Sequence, residues 1–329
     1  MNTHKRHLMS WVTGRSFGLD LPESGAATIV VESAEDVPRL AESGLLGSRT
    51  VVYSPEEGSA GEALQGAPAA RIAYRGSFVE PGSEVQLGDA FFLQVQAYSI
   101  AGFLALLGPT AIRVTDQEDV EAFLADAEAA VDQGVWSDVM TNPAVQLADV
   151  TALGGHAPLD GPRLRLYVGR DHEVRLSPLG RTLGTVGDVL REPGEAAAFG
   201  PDRLPCSRAS VTAVRERPWL GRYHAALRAL QAARARGHEE ARVSGFGMRF
   251  DGDLPLGPGA PDLGDPLAPV LLGCGETFLV HIPATGADFQ TDRDTVHALE
   301  RALVTPEAAE EQALRFVERF TAPAERVGA

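Results

Sequence analysis

Residues 276–320 read ETFLVHIPATGADFQTDRDTVHALERALVTPEAAEEQALRFVERF, and this is the stretch whose pattern is clearest. Glu276 to Ile282 is rich in β-branched and aromatic residues, which predicts a strand. Pro283-Ala-Thr-Gly286 supplies turn chemistry, and Ala287 to Gln290 predicts a short return strand. Thr291-Asp-Arg-Asp294 has the spacing of a capping box, and Val296, Leu299 and Leu303 follow on one helical face. Thr305-Pro306 predicts the start of a second helix, with threonine as N-cap and proline at the first helical position. Ala313, Phe316, Val317 and Phe320 give that helix its apolar stripe. The order is strand, turn, strand, helix, helix.

Upstream, residues 251–269 read DGDLPLGPGAPDLGDPLAP, and the density of Gly, Pro and Asp predicts a semi-stiff linker. Before it, Leu220 to Arg236 predicts a helix closed by Gly237. Leu164 to Val168 and Glu173 to Leu176 alternate and are joined by Gly169-Arg-Asp-His172, which predicts a hairpin. Gly154-Gly155, Pro158 and Gly161-Pro162 form a breaker cluster, read as a boundary near 155. The first part alternates strands (Thr28–Glu32, Thr50–Tyr53, Arg71–Tyr74) with helix signals. These are Ser33-x-x-Asp36 and Thr115-x-x-Glu118, the latter opening a helix that Gly134 stops. The expected class is therefore an α/β N-terminal domain with an α+β C-terminal part ending in a winged-helix-like strand–strand–helix–helix module. The expected divisions are an N-terminal arm at 1–24, an α/β domain at 25–155, a hairpin-plus-helix region at 156–250, the linker at 251–269, and the module at 270–322.

The chain has 329 residues, with 45 acidic against 29 basic side chains and a net charge of −16. That balance argues against a nucleic-acid partner, which needs a basic face. Lys5 is the only lysine, a bias of the kind that GC-rich actinobacterial coding produces. Met1–Arg15 lacks the run of a signal peptide, and the apolar run Ile100–Ile112 is too short to span a bilayer. A cytoplasmic protein without membrane contact is expected. Cys206 and Cys274 cannot form a cluster or a disulfide framework. The phosphate-loop, dinucleotide-binding, nucleophile-elbow and zinc-protease motifs are missing. Gly245-Phe-Gly247 lacks its third glycine, and His238-Glu239-Glu240 lacks the second histidine. Cys274 has no legible catalytic partner. His281, His224 and His297 read as packing or surface residues. Asp251, Asp253, Asp262 and Asp265 do not match a calcium loop. No catalytic residue, metal or cofactor is expected.

The segment Thr277–Phe320 resembles the PqqD-like domain, the peptide-recognition element of ribosomal natural-product (RiPP) biosynthesis. That family carries a third helix that walls the leader-peptide groove, and only nine residues follow Phe320 here. Asp119-Val-Glu-Ala-Phe-Leu124 through Gly134-Val-Trp136 looks like such a helix, far upstream. The hairpin Leu166–Leu176, with Ser177-Pro178 and Leu183–Leu190, is similar to SPASM domains stripped of their cluster cysteines. Taken with the Trp11-Val-Thr-Gly-Arg15 opening, the whole chain resembles the RiPP recognition proteins of actinobacterial daptide clusters. The resemblance implies a non-catalytic accessory that brings a precursor peptide to a dehydrogenase-like oxidative decarboxylase, an aminotransferase and a methyltransferase.

Strand addition is the matching physical mechanism: an extended leader pairs with an exposed sheet edge and its alternate side chains enter pockets. The return strand at Ala287, Asp288, Phe289 and Gln290 is the candidate edge. Val296 and Leu299 are expected to floor the groove, and Asp288 and Asp292 to favour a basic peptide residue. The competing reading is that another element covers this strand, because open edges invite aggregation. Two further readings are an α/β enzyme whose chemistry would rest on Cys274, His281 and the acidic loops, and a scaffold for the tailoring enzymes.

Overall fold

The computed structural model describes residues 3–56, 69–88, 91–188, 207–309 and 311–321. The chain is a mixed α/β protein of two compact units, Met1–Glu121 with Ala144–Arg215, and Ala122–Pro143 with Glu216–Ala329. Cys206 lies outside the described residues.

The first unit is built on a mixed ten-stranded sheet. In chain order its strands are β1 (Ala26–Val31), β2 (Leu46–Pro55), β3 (Ala70–Gly76), β4 (Glu84–Leu87), β5 (Phe91–Ala97), β6 (Thr110–Arg113), β7 (Val145–Leu147), β8 (Arg165–Val168), β9 (Glu173–Arg175) and β10 (Thr182–Thr185). Their spatial order is β10-β9-β8-β1-β2-β3-β4-β5-β6-β7. Strands β8, β1, β2 and β3 run parallel, as do β5, β6 and β7. Every residue of β1 is buried, which is why Thr28–Glu32 is an apolar run without alternation. Val30 packs with Tyr53, Tyr74 and Tyr167 on one face. Val31 packs with Val52, Leu166 and Val168 on the other. Helix α2 (Asp36–Glu42) adds Val37 and Leu40 to that second cluster.

Two expectations for this unit are corrected. Residues 1–24 are not an arm: α1 (Thr3–Thr13) is a core helix, with Leu8, Met9, Trp11 and Val12 in the first cluster. The Trp11 indole donates to the Leu166 carbonyl at 2.7 Å and meets Phe78 edge-on. Leu8, Trp11 and Val12 stand at i, i+3 and i+4, the spacing of one buried helical face. Nor does a domain end near 155. The predicted hairpin is β8–β9, but β8 pairs in parallel with β1, Thr28 opposite Arg165 and Val31 opposite Val168. The glycines and prolines at 154–162 mark a turn inside the unit, because breakers interrupt the local backbone without reporting which strands pair.

The Trp11–Arg15 motif closes over a buried charge network. Arg165, 1% exposed, makes a two-pronged contact with Asp160 at 2.7 and 2.9 Å. Its third nitrogen donates to the Trp11 carbonyl and to Asp149, each at 2.7 Å. Arg113 takes the other Asp149 oxygen at 3.0 Å, and Thr151 donates to Asp160 at 2.6 Å. Burial alone would lower the Arg165 guanidinium, but Asp160 and Asp149 outweigh it and hold it above its ordinary value. Gly14, at φ +76, leaves the space beside this pair that a side chain would fill.

Helix α3 (Gln117–Gln133) has its last part, from Ala122, in the second unit. Its cap falls one residue later than the sequence spacing predicts: the Asp119 N–H donates to Asp116, and the Asp119 carboxylate accepts from the Thr115 N–H at 2.7 Å. The Ser99 N–H donates to the same carboxylate at 2.8 Å. Helix α4 (Arg208–Arg215) closes the first unit, its Ser210 hydroxyl on Gln117.

The second unit holds helix α5 (Leu220–Arg234) and an antiparallel sheet of β11 (Arg242–Val243), β12 (Val270–Cys274), β13 (Thr277–Ile282) and β14 (Ala287–Thr291), in that spatial order. Helices α6 (Arg293–Val304) and α7 (Glu311–Thr321) follow, separated by a single 3-10 turn at Pro306–Ala308. The expected second helix therefore begins later than Thr305, and two strands precede the predicted pair. Residues 251–269 are not a linker. Arg249 grips Asp262 through two bonds at 2.8 and 2.7 Å, both side chains buried. Buried Arg222 donates to the carbonyls of Ala268 and Pro269. Glu300, fully buried, accepts from the N–H groups of Phe250 and Asp251. These anchors dock a segment whose composition alone reads as solvated.

Candidate functional site

The predicted return strand is β14, and it ends the sheet: among the described residues only β13 pairs with it. The turn before it is closed by Gly286, at φ +71, whose N–H donates to the Ile282 carbonyl at 2.8 Å. The pairing is regular, Val280 opposite Phe289 and His281 opposite Asp288. Successive residues of a strand point to opposite faces, so this register assigns each predicted site residue to a side.

On the α6–α7 face, Phe278, Val280 and Ile282 pack with Val296, Leu299, Ala302 and Ala313. Ala287 and Phe289 belong to this face, and Phe289 is 45% exposed although it is large and apolar. Val296 and Leu299 do not floor an open groove: they are 0% and 3% exposed and hold the underside of the sheet. Their helical spacing toward an apolar surface is the same for a core as for a groove, so the sequence cannot separate the two.

On the opposite face lie Asp288 and Gln290. Gln290 is exposed. Asp288 does not present a free carboxylate there. One oxygen meets the Nδ1 of His281 at 2.7 Å, and the other meets the Arg236 guanidinium at 2.5 Å. Burial would push this carboxyl up, but His281 and Arg236 outweigh it and hold it below the usual range. Asp292 is exposed and turned to local work as the N-cap of α6, accepting from the Thr295 N–H at 2.8 Å. That hydrogen bond holds its carboxyl below the ordinary value.

Arg236 is the residue that sequence reading missed. Its position just before the helix-stopping Gly237 is visible, but not its reach to a strand fifty residues later. The upstream helix α3, from Ala122, does join this unit. Phe123 stacks on His224, and Trp136 stacks on Tyr223 and packs on Phe246, in the turn after β11. The Gly247 N–H donates to the Val131 carbonyl at 3.1 Å. The contacts to Phe246 and Gly247 lie just after β11.

The residues named for an enzyme reading are not gathered. Cys274 ends β12 opposite Thr277, and burial pushes its thiol up, the direction that suppresses thiolate. His281 is committed to Asp288. Asp251 is engaged with Arg301 and Asp262 with Arg249. Among the described residues no group of three or more His, Cys, Asp or Glu side chains is placed to hold a metal ion, and no helix is long and apolar enough to cross a membrane. Comparison with protein-family models, curated proteins and solved structures gives no match for this chain.

Proposed function

We propose that this protein binds an extended peptide as an added strand along β14, and that the peptide is the leader of a ribosomally made precursor held for tailoring enzymes of the daptide type. On this reading β12 to α7 is a PqqD-like, winged-helix-like recognition module, and the partners are the leader peptide and an oxidative decarboxylase, aminotransferase or methyltransferase. The observation that carries it is a terminal strand with a half-exposed phenylalanine at its centre. Backbone groups along the outer side of β14 supply sequence-tolerant affinity, and Phe289 offers an apolar contact to the peptide residue laid beside it on the same face. The test is titration with a fluorescent leader peptide from the neighbouring genes. Saturable binding tighter than about 100 μM, roughly −5.5 kcal/mol, is expected, and its absence refutes the proposal. Phe289→Asp weakens binding at least about tenfold with the fold intact by circular dichroism. Unchanged affinity removes β14 as the site.

One observation favours the enzyme reading. At the C-terminal ends of parallel β1 and β8, buried Asp36 meets the Nδ1 of half-exposed His172 at 2.9 Å. His172 has φ +61, and the second Asp36 oxygen is buried without a hydrogen bond. A carboxylate that orients an imidazole is the arrangement of a general base. A small molecule co-purifying with the wild type, and lost in His172→Gln, would support that reading over the peptide one.

A further inference from the structure

We infer that Arg236 makes the β14 edge select an acidic side chain on the bound peptide, at the position directly across from Asp288. The inference rests on the strand-addition reading and concerns its specificity. Sequence alone points the other way, since Asp288 and Asp292 by themselves would attract a basic residue.

The sign turns on where the charges go. Helix α5 ends with Gly237 at φ +89, the Gly237 N–H on the Arg234 carbonyl at 2.9 Å and the His238 N–H on the Ala233 carbonyl at 3.1 Å. This doubly bonded terminus fixes the backbone from which Arg236 projects. Its guanidinium reaches Asp288, but the two are unequally covered: Arg236 is 49% exposed, Asp288 6% and His281 3%. The carboxylate is enclosed between two partners, and its charge is spent inward. The guanidinium has five donors, it meets Asp288 as an ion pair, and half of its side chain faces solvent.

A strand laid along β14 places one residue opposite Asp288, with Cβ atoms about 4.5–5.5 Å apart. That residue points to the same face as Asp288 and meets the remaining donors of Arg236. Its neighbours point to the other face, one of them beside Phe289. The recognised pattern is thus an acidic residue next to an apolar one. Gln290, the other β14 side chain on this face, is neutral and does not oppose the choice.

The experiment is display selection of a random ten-residue peptide library on the full chain. Peptides retained by the wild type but not by the uncharged variant Phe289→Ser define edge binders. They are expected to carry Asp or Glu beside an apolar residue, and replacing that acid by its amide weakens a resynthesised peptide roughly tenfold. In Arg236→Gln, checked for an unchanged melting temperature, Asp288 loses its cation and the preference reverses, so that the Lys form of the same peptide outbinds the Glu form. A merely structural Arg236 would change both forms equally, which overturns the inference. Edge binders that are basic or indifferent to charge also overturn it and leave strand addition standing. A selection that yields no edge binders removes strand addition and this inference together.

Discussion

Replacing Gly14 by alanine tests whether the Trp11–Arg15 motif exists to make room for a buried ion pair. Gly14 has φ +76, where an L side chain adds about 1–2 kcal/mol of strain. The new Cβ would also sit 2.5 Å from an Asp160 oxygen and 2.7 Å from an Arg165 nitrogen. Those atoms are ends of side chains, so they can move in principle. Here both belong to buried groups tied by several hydrogen bonds, to Thr151, Trp11 and Asp149. Prising a buried pair apart costs about 3–5 kcal/mol. The expected loss is then about 4–7 kcal/mol, against a typical whole stability of about 5–15 kcal/mol. Gly18→Ala is the control: φ is +71, but nothing lies within 4 Å of its Cβ, so only the strain of roughly 1–2 kcal/mol applies. Urea unfolding of both variants, followed by near-ultraviolet circular dichroism, compares them directly. If Gly14→Ala is less than about 1 kcal/mol worse than Gly18→Ala, the pair yields freely and the packing argument is wrong.

Asp119 gives a pH dependence. Burial would raise its carboxyl, but the N–H groups of Ser99 and Thr115 outweigh it and hold it below its ordinary 3.8. A lowered folded value contributes stability that is present above pH 3.8 and lost as pH falls through the folded value. Asp119→Asn should therefore lower the melting temperature at neutral pH and flatten its fall below about pH 4; an unaltered acid limb contradicts this. Gly247→Ala should destabilise the second unit far more than Gly286→Ala. Both have positive φ, but the first Cβ would sit 2.1 Å from the Gly134 nitrogen and the second meets nothing within 4 Å. Equal urea midpoints would refute that difference.

Features under short-range control are legible in the amino-acid order alone. Strand β13, the turn at Gly286, strand β14 and the amphipathic α6 were legible from alternation, turn chemistry and helical spacing, each read within a few residues. Capping was legible to within one residue, at Asp292 for α6 and Asp116 for α3. Tertiary structure decided the rest, because a partner far along the chain leaves no local mark. Leu8, Trp11 and Val12 read as a fragment too short for a targeting segment, and became core only when α1 met Leu166 and Phe78. The breaker cluster near 155 looked like a boundary, but β8 returns to β1 across it. The loop at 251–269 reads as solvent-facing by composition, yet Arg222, Arg249 and Glu300 draw it in. At the candidate site, strand alternation set which face Asp288 points to but not what meets it there. Alternation sets direction, whereas the charge a ligand would meet depends on Arg236 and His281, brought to Asp288 by the packing of α5 and the sheet.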